Sequence, residues 1–271
     1  MIRLVCIDVD GTLIGTSGVV APESWAAATR ARAAGIRLAI CSGRPAFGRA
    51  LEYAERLDPD GWHIFQNGSS VVHLAGGETR SHALPEAAVL ELIGRSRTNS
   101  RILELYTDID YFVESTAPRA RQHAQLLGIP FVRRDLDTRA GTIVRAQWIV
   151  SHAEAAAVLA EPHAGLTVAA SLSPVMPDAT FINCTPVGVD KGYALQRVAE
   201  EYGLTAEQVM MVGDSGNDLS ALRVAGYPVA MGNAEPPVRH AAARVVGDVD
   251  RGGLVEALEL AMELAMAGRR D

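Results

Sequence analysis

Short, almost wholly apolar runs alternate with helical stretches at both ends of this chain, and that alternation limits the fold more than any other feature. From the N terminus the order is RLVCID, a helical stretch around ESWAAATRARAAG, then RLAICS, a second around AFGRALEYAERL, and HIFQNG. After residue 186 the style resumes with KGYALQRVAEEYG, VMMVGD, DLSALRVAG, YPVAMG and a final helical stretch. Runs this short and apolar predict strands buried on both faces, and helices between them predict parallel pairing with crossovers. Gly35 stands where a glycine C-cap would end the first helix. The expected class is α/β.

Between these segments the texture changes. RILELYT and YFVES flank the turn DID and predict a hairpin. A helical APRARQHAQLLG, the strand TIVRAQWIVS, a helical HAEAAAVLA and the strands GLTVAASL and TFINCTP follow, with SPVMPD marking a loop. Hairpins mixed with crossovers predict an antiparallel or mixed sheet. Residues 82–186 therefore read as a second domain inserted into a first one made of residues 1–81 and 187–271.

Composition narrows the function. The chain has 271 residues, 48% hydrophobic and 21% charged, enough to bury a sizeable core. A net charge of −7 with the signs interspersed offers no basic face for nucleic acid. Cys6, Cys41 and Cys184 each lie in an apolar strand-like run, with no His/Cys cluster at ligand spacing, which predicts buried free thiols in a reducing compartment. The first strand begins almost at Met1, so no secretory leader is expected. No apolar run reaches the roughly 18 residues of a membrane span. The C-terminal GGLVEALELAMELAMAGRR carries Glu256, Glu259 and Glu263 opposite Leu254, Leu258, Ala261, Met262 and Ala265, the pattern of a packing helix. The expectation is a cytoplasmic monomer or homodimer whose partner is a small molecule, neither nucleic acid nor membrane.

In an open α/β sheet, ligands bind beyond the carboxyl ends of the strands. There the first strand ends in Asp8 and Asp10, on the same side by strand alternation, before Gly11 breaks the pattern. The second ends in Ser42, Gly43 and Arg44, the third in Asn67, and VMMVGDSGND in Asp214, Asn217 and Asp218. Lys191 opens a helix in VDKG. Acids crowded in this way need cations, and an oxygen-rich carboxylate set suits Mg²⁺. The Ser42 hydroxyl, the Gly43 amide and the Lys191 ammonium are donors for phosphate oxygens. A strand-end carboxylate nucleophile beside Mg²⁺ and phosphate predicts phosphoryl transfer through an aspartyl-phosphate. A neighbouring acid held protonated can act as general acid.

These residues fall into recognisable wording. DVDGT, SGR, the lone lysine of VDKG and GDSGND resemble, in order, the four motifs of the haloacid dehalogenase superfamily of phosphatases. QNG, VAMGNA and the late DRGGL are similar to its Cof-type (subclass IIB) members. The resemblance covers both flanking segments and implies a Rossmann-like core of residues 1–81 and 187–271, with residues 82–186 as an inserted C2B-type cap that sets substrate specificity. It implies Asp8 as nucleophile and metal ligand, and Asp10 as general acid/base that lends Mg²⁺ its backbone carbonyl, with Thr12 supporting the turn. Ser42 and Gly43 would bind the transferring phosphoryl group, Lys191 would neutralise it and hold Asp8, and Asn217 would help. Asp214 would ligate Mg²⁺ with Asp218 assisting, while Arg44 and Asn67 would face the substrate.

Relatives usually carry an acidic residue at the cap-to-core return where FINCTP has Asn183, which bears on cap packing or substrate choice. Arg133, Arg134, Arg139 and Arg145 lie in the cap, where they could meet a second anionic group or simply form a solvated face. None of the seven histidines is needed by this chemistry. The expected activity is Mg²⁺-dependent hydrolysis of small phosphate esters, with sugar phosphates foremost. Rivals are a dedicated sucrose-phosphate or mannosyl-3-phosphoglycerate phosphatase, a phosphomutase, and a non-catalytic regulatory protein that binds a phosphometabolite.

Overall fold

The computed structural model describes residues 1–173 and 175–267. Pro174 of the SPVMPD loop and residues 268–271 of the C-terminal stretch lie outside the described residues.

The chain begins with β1 (Leu4–Ile7), α1 (Pro22–Ala33), β2 (Arg37–Ile40), α2 (Arg49–Leu57), β3 (Trp62–Phe65), β4 (Ser70–His73) and β5 (Glu78–Ser81). It continues with α3 (Glu86–Asn99), β6 (Ile102–Tyr106), β7 (Tyr111–Val113), α4 (Pro118–Leu127), β8 (Arg145–Ser151), α5 (His152–Ala160), β9 (Leu166–Ser171) and β10 (Ala179–Pro186). The last segment holds α6 (Lys191–Glu201), β11 (Val209–Gly213), α7 (Leu219–Val224), β12 (Tyr227–Ala230), α8 (Pro236–Ala241), β13 (Arg244–Val245) and α9 (Gly253–Ala267).

The first sheet has five parallel strands in the order β13-β12-β11-β1-β2. Its central strand shows why the apolar runs are continuous. Val5 and Ile7 pack with α1, α2 and α9, while Leu4 and Cys6 pack with α6 and α7 on the opposite face. Both faces are covered, so no polar residue is tolerated along β1. The C-terminal helix buries Leu254, Ala257, Leu258, Ala261 and Ala265 against the same core as α1. All three cysteines are free and buried. Among the described residues no helix is long and apolar enough to cross a membrane.

The run HIF departs from the expected sheet. β3 touches β2's extension through a single bridge, Cys41 to Ile64, and otherwise pairs antiparallel with β4, which pairs with β5. An apolar strand suits either sheet, and the meander 70–81 supplies an antiparallel neighbour that periodicity does not single out.

The second sheet, β7-β6-β8-β10-β9, is antiparallel throughout. One face is apolar: Leu103, Leu105, Trp148, Val150, Ile182 and Cys184 pack against α3 and α5. The other face, by alternation, carries Glu104, Tyr106, Arg145, Gln147 and Asn183. Glu104, Gln147 and Asn183 stand on one rung, and Tyr106 faces Arg145 on the next. This face and α4 turn toward the first sheet, with Phe47 packed into the cluster they form. Asp108, in the β6–β7 turn, accepts the Ser70 hydroxyl at 2.5 Å and the Ser81 hydroxyl at 2.6 Å, fastening the second sheet to the small one.

Candidate active site

β1 ends at Ile7, and Asp8 extends its ladder by donating its N–H to the Val212 carbonyl at 3.0 Å. The chain then turns back at once, with the Leu13 and Ile14 N–H groups both reaching the Val9 carbonyl. That turn puts Gly11 at φ +90°, a conformation open to glycine. Space forbids a side chain as well, since a Cβ on Gly11 would stand 2.2 Å from Asp214 Oδ2. Thr12 Oγ1 donates to Asp214 Oδ1 at 3.1 Å, seating that carboxylate against the turn.

Lys191 opens α6, where Asp190 caps the helix by accepting the Tyr193 N–H. Its side chain is buried, and Nζ donates to Asp8 Oδ1 at 2.5 Å and to Asp218 Oδ1 at 2.6 Å. Asp218 Oδ2 accepts the Asp214 and Ser215 N–H groups at 3.0 and 3.1 Å. Both Asp218 oxygens are thus engaged, and the residue acts as a bracket that holds the ammonium against Asp8. Burial works against the charge of Lys191, but Asp218 and Asp8 outweigh it and raise its pKa.

Burial and Asp218 push Asp8 up to about 7 against the opposing pull of Lys191. Burial, Asp8 and Asp218 likewise drive Asp214 well above the carboxylate range. Acids that raise one another's pKa in this way are relieved by a cation. Carboxylate oxygens of Asp8, Asp214 and Asp218 lie within 4.8 Å of one another. These hard oxygen donors, in a recess that a Cβ at residue 11 would fill, fit a divalent metal ion.

On the phosphate side, Ser42 Oγ accepts the Arg44 N–H at 3.0 Å and shapes the SGR turn. Gln66 and Asn67 both have positive φ, 55° and 54°, and this bend lays the Asn67 amide against Gly43. Asn217 Nδ2 donates to Asn67 Oδ1 at 2.9 Å, while Ser215 Oγ donates to Asn217 Oδ1 at 2.8 Å. Asn67 Nδ2 is buried without a partner, a donor held in reserve beside Gly43.

Arg44 lines the cavity and is also held by an acid. Its Nε and Nη2 grip Asp10 at 2.8 and 2.6 Å, and Nη1 reaches the Leu126 carbonyl in α4 at 3.3 Å. Ser173 Oγ adds a bond to Asp10 Oδ1 at 3.2 Å. Burial would raise Asp10, but the Arg44 charge and its hydrogen bonds win and hold it below its ordinary value. The two acids are thus shifted in opposite directions, Asp8 upward by burial and Asp218, and Asp10 downward by Arg44.

A cavity of about 40 Å³ joins these groups, with Asp8, Asp10, Gly43 and Arg44 on one side and Arg145, Gln147 and Asn183 of the second sheet on the other. Thus Asp8, Asp10, Ser42, Gly43, Arg44, Asn67, Lys191, Asp214, Asn217 and Asp218 gather at one end of the first sheet. Sequence reasoning missed Gln147, His123 and Ser173. Gln147 shares the parity of Arg145 on β8 and was accessible from alternation, whereas His123 and Ser173 carry no local signal.

The model of the haloacid dehalogenase-like hydrolase family matches residues 5–258. The 5-amino-6-(5-phospho-D-ribitylamino)uracil phosphatase YwtE of Bacillus subtilis (strain 168) is 26% identical over 279 residues, spanning 93% of this chain and 95% of that protein. A haloacid dehalogenase-like hydrolase from Bacteroides thetaiotaomicron superposes with a TM-score of 0.80 at 27% identity, covering 96% of this chain and 99% of that one. The fold is also that of the subclass IIB sugar phosphatase BT4131, with a TM-score of 0.82 at 21% identity over 95% of this chain and 98% of that one. The family model spans most of the chain, so the chain belongs to the haloacid dehalogenase-like hydrolases and is a phosphatase of that family.

Proposed function

We propose that this chain hydrolyses small phosphorylated metabolites, with Asp8 as nucleophile, through an aspartyl-phosphate and with Mg²⁺ as the metal. The observation that carries this reading is the Lys191 ammonium, 2.5 Å from Asp8 and bracketed by Asp218, beside Asp214. Asp8 and Asp214 would hold the ion, which when bound neutralises charge on the phosphoryl oxygens. Lys191, the Ser42 hydroxyl, the Gly43 N–H and the Asn217 amide orient that group in line with Asp8. Asp8 attacks phosphorus as the ester bond breaks, and Asp10, which takes up a solvent proton once substrate has displaced Arg44, delivers that proton to the departing oxygen. Asp10 then takes a proton from the water that cleaves the aspartyl-phosphate, releasing phosphate and restoring the Asp8 carboxylate. To reach the leaving oxygen Asp10 exchanges its Arg44 partner for substrate.

Residues 82–186 act as the cap. Residues of both segments wall the cavity, and substrate enters when the second sheet swings off the first. Among the contacts that part are Arg44 to Leu126, Ser173 to Asp10, Gln66 to the Thr107 carbonyl and Arg145 to Gln66.

Phosphate release from p-nitrophenyl phosphate tests the reading. Asp8→Asn should fall below about a hundredth of wild-type turnover with the fold retained, because an amide cannot attack. Wild-type turnover should vanish in excess chelator and return with Mg²⁺. A variant that keeps its turnover would replace Asp8 attack by direct water attack, and full activity in chelator would remove the metal.

A further inference from the structure

Four arginines of the second domain raise the possibility of a second anion site, and the structure separates them. Arg133 lies on the surface and donates to the Glu114 carbonyl, Arg134 pairs with Asp110, and Arg139 pairs with Glu86. Arg145 is 1% exposed and has no carboxylate in contact. Its Nε donates to Gln66 Oε1 at 2.7 Å, and Nη1 donates to Asn183 Oδ1 at 2.7 Å and to Gln147 Oε1. The guanidinium lies over the Tyr106 ring, 4.0 Å from its centroid.

The carboxylate one rung away is engaged through Oε2, while its Oε1 is buried without a hydrogen-bond partner. Glu104 Oε2 accepts the Tyr106 hydroxyl at 2.6 Å, His123 Nδ1–H at 2.8 Å and Gln147 Nε2 at 3.3 Å. That last bond turns the Gln147 amide so that its oxygen, not its NH₂, meets Arg145. The surroundings therefore hydrogen-bond the guanidinium through neutral acceptors only, and Glu104 acts on it at longer range without touching it. A buried cation without a hydrogen-bonded counter-charge is costly, and burial lowers the pKa of Arg145 despite the opposing pull of Tyr106 and Glu104. Its side chain lines the same cavity as Asp8 and Asp10, from the opposite wall.

We propose that Arg145 determines specificity by binding an anionic group, a carboxylate or a second phosphate, on the leaving portion of the substrate. The esters this enzyme prefers then carry negative charge at both ends. This rests on the phosphatase reading above, since the transferring phosphoryl group is held at the opposite wall by Lys191, Ser42 and Gly43. Asn183 is central to it: an aspartate there would set a counter-charge 2.7 Å from Nη1.

Initial rates of phosphate release on two matched pairs test the proposal: 3-phosphoglycerate against glycerol 3-phosphate, and fructose 1,6-bisphosphate against fructose 6-phosphate. The wild type should favour the doubly anionic member of at least one pair by about tenfold or more in kcat/KM. Arg145→Met and Asn183→Asp should each bring that ratio to within about twofold of one, mainly through KM of the anionic member. Asn183→Asp keeps the guanidinium and its packing, so the test stands even if Arg145→Met fails to fold. A wild type without preference in either pair would overturn the proposal. So would variants that lower both members of a pair alike, the mark of an arginine that only closes the cap or meets the transferred phosphoryl group. Hydrolysis of none of the four esters, nor of p-nitrophenyl phosphate, would sink the phosphatase reading and this proposal with it.

Discussion

Arg44 holds Asp10 by both carboxylate oxygens, Nε 2.8 Å from Oδ2 and Nη2 2.6 Å from Oδ1, and its remaining nitrogen reaches the Leu126 carbonyl at 3.3 Å. One side chain of the SGR turn thus ties the second acid of the first strand to a helix of the inserted domain. The pair is coupled and mostly out of water, with side-chain exposures of 5% and 20%. Arg44→Met should cost about 2 kcal/mol of stability because it strands the Asp10 charge. Adding Asp10→Asn should return part of that loss, which urea unfolding of the four proteins in a double-mutant cycle would read. Strictly additive losses would mean the two residues do not interact in solution.

Lys191 sits between two carboxylates, so its removal should injure fold and turnover separately. Lys191→Met leaves Asp8 and Asp218 facing each other in a buried space and should cost about 3 kcal/mol. The companion change Asp218→Asn should recover much of the stability in thermal unfolding. Turnover should stay depressed about a hundredfold or more in both variants if Lys191 meets the phosphoryl group as proposed, since that charge is still missing.

Mutual repulsion of Asp8 and Asp214 makes the fold itself a metal sensor. Saturating Mg²⁺ should raise the melting temperature by about 4 °C or more, because the ion binds the folded chain and not the unfolded one. Asp214→Asn should abolish that rise. A shift that survives in Asp214→Asn would place the ion elsewhere.

Gly11→Ala offers a test of the turn that shapes this recess. The new methyl group meets Asp214 Oδ2 at 2.2 Å and the backbone is at φ +90°. A loss of about 1–3 kcal/mol is expected from the strained backbone, and the Mg²⁺ concentration for half-maximal activity should rise as Asp214 is displaced. A variant with unchanged metal dependence would show that Asp214 is not seated by the turn.

His63 sets an acid limit far from the chemistry. It is buried, accepts the Ile40 N–H at Nδ1 and donates from Nε2 to the Asp58 carbonyl, and burial pulls its pKa from 6.5 to about 4. The unfolded chain keeps the ordinary value, so the stabilisation is complete above pH 6.5 and is lost as pH falls toward 4, about 3 kcal/mol in all. His63→Gln should be less stable at pH 7 but flatter across that window in urea titrations. An equal slope in both proteins would assign the acid sensitivity to other groups.

The amino-acid order by itself placed Asp8, Asp214 and Asp218 at one edge, while the meeting of Lys191, at a helix start, with Asp8 was implied only by the family resemblance. Parallel strands with helical crossovers all end on one edge, so motifs at strand ends converge whatever the packing details. The alternation of Leu4 and Cys6 against Val5 and Ile7 is equally local, because a strand has a period of two. The antiparallel pairing around DID followed from the same rule.

Only the tertiary structure decided which neighbours those side chains would find. The run HIF has the same periodicity as its sheet-bound counterparts, yet it left the parallel ladder for β4, a choice made by non-local pairing. Arg44 and Asp10 are close in sequence terms to the same strand ends, but their grip and the bond to Leu126 exist because the inserted domain rests on the first. Arg145 and Arg139 look alike in the sequence. One is neutralised by Glu86 at the surface, while the other, facing the cavity by the parity of β8, is left with neutral partners. The face of a strand can be read from its residues, but which face meets Asp8 and Asp10 depends on how one sheet packs on another.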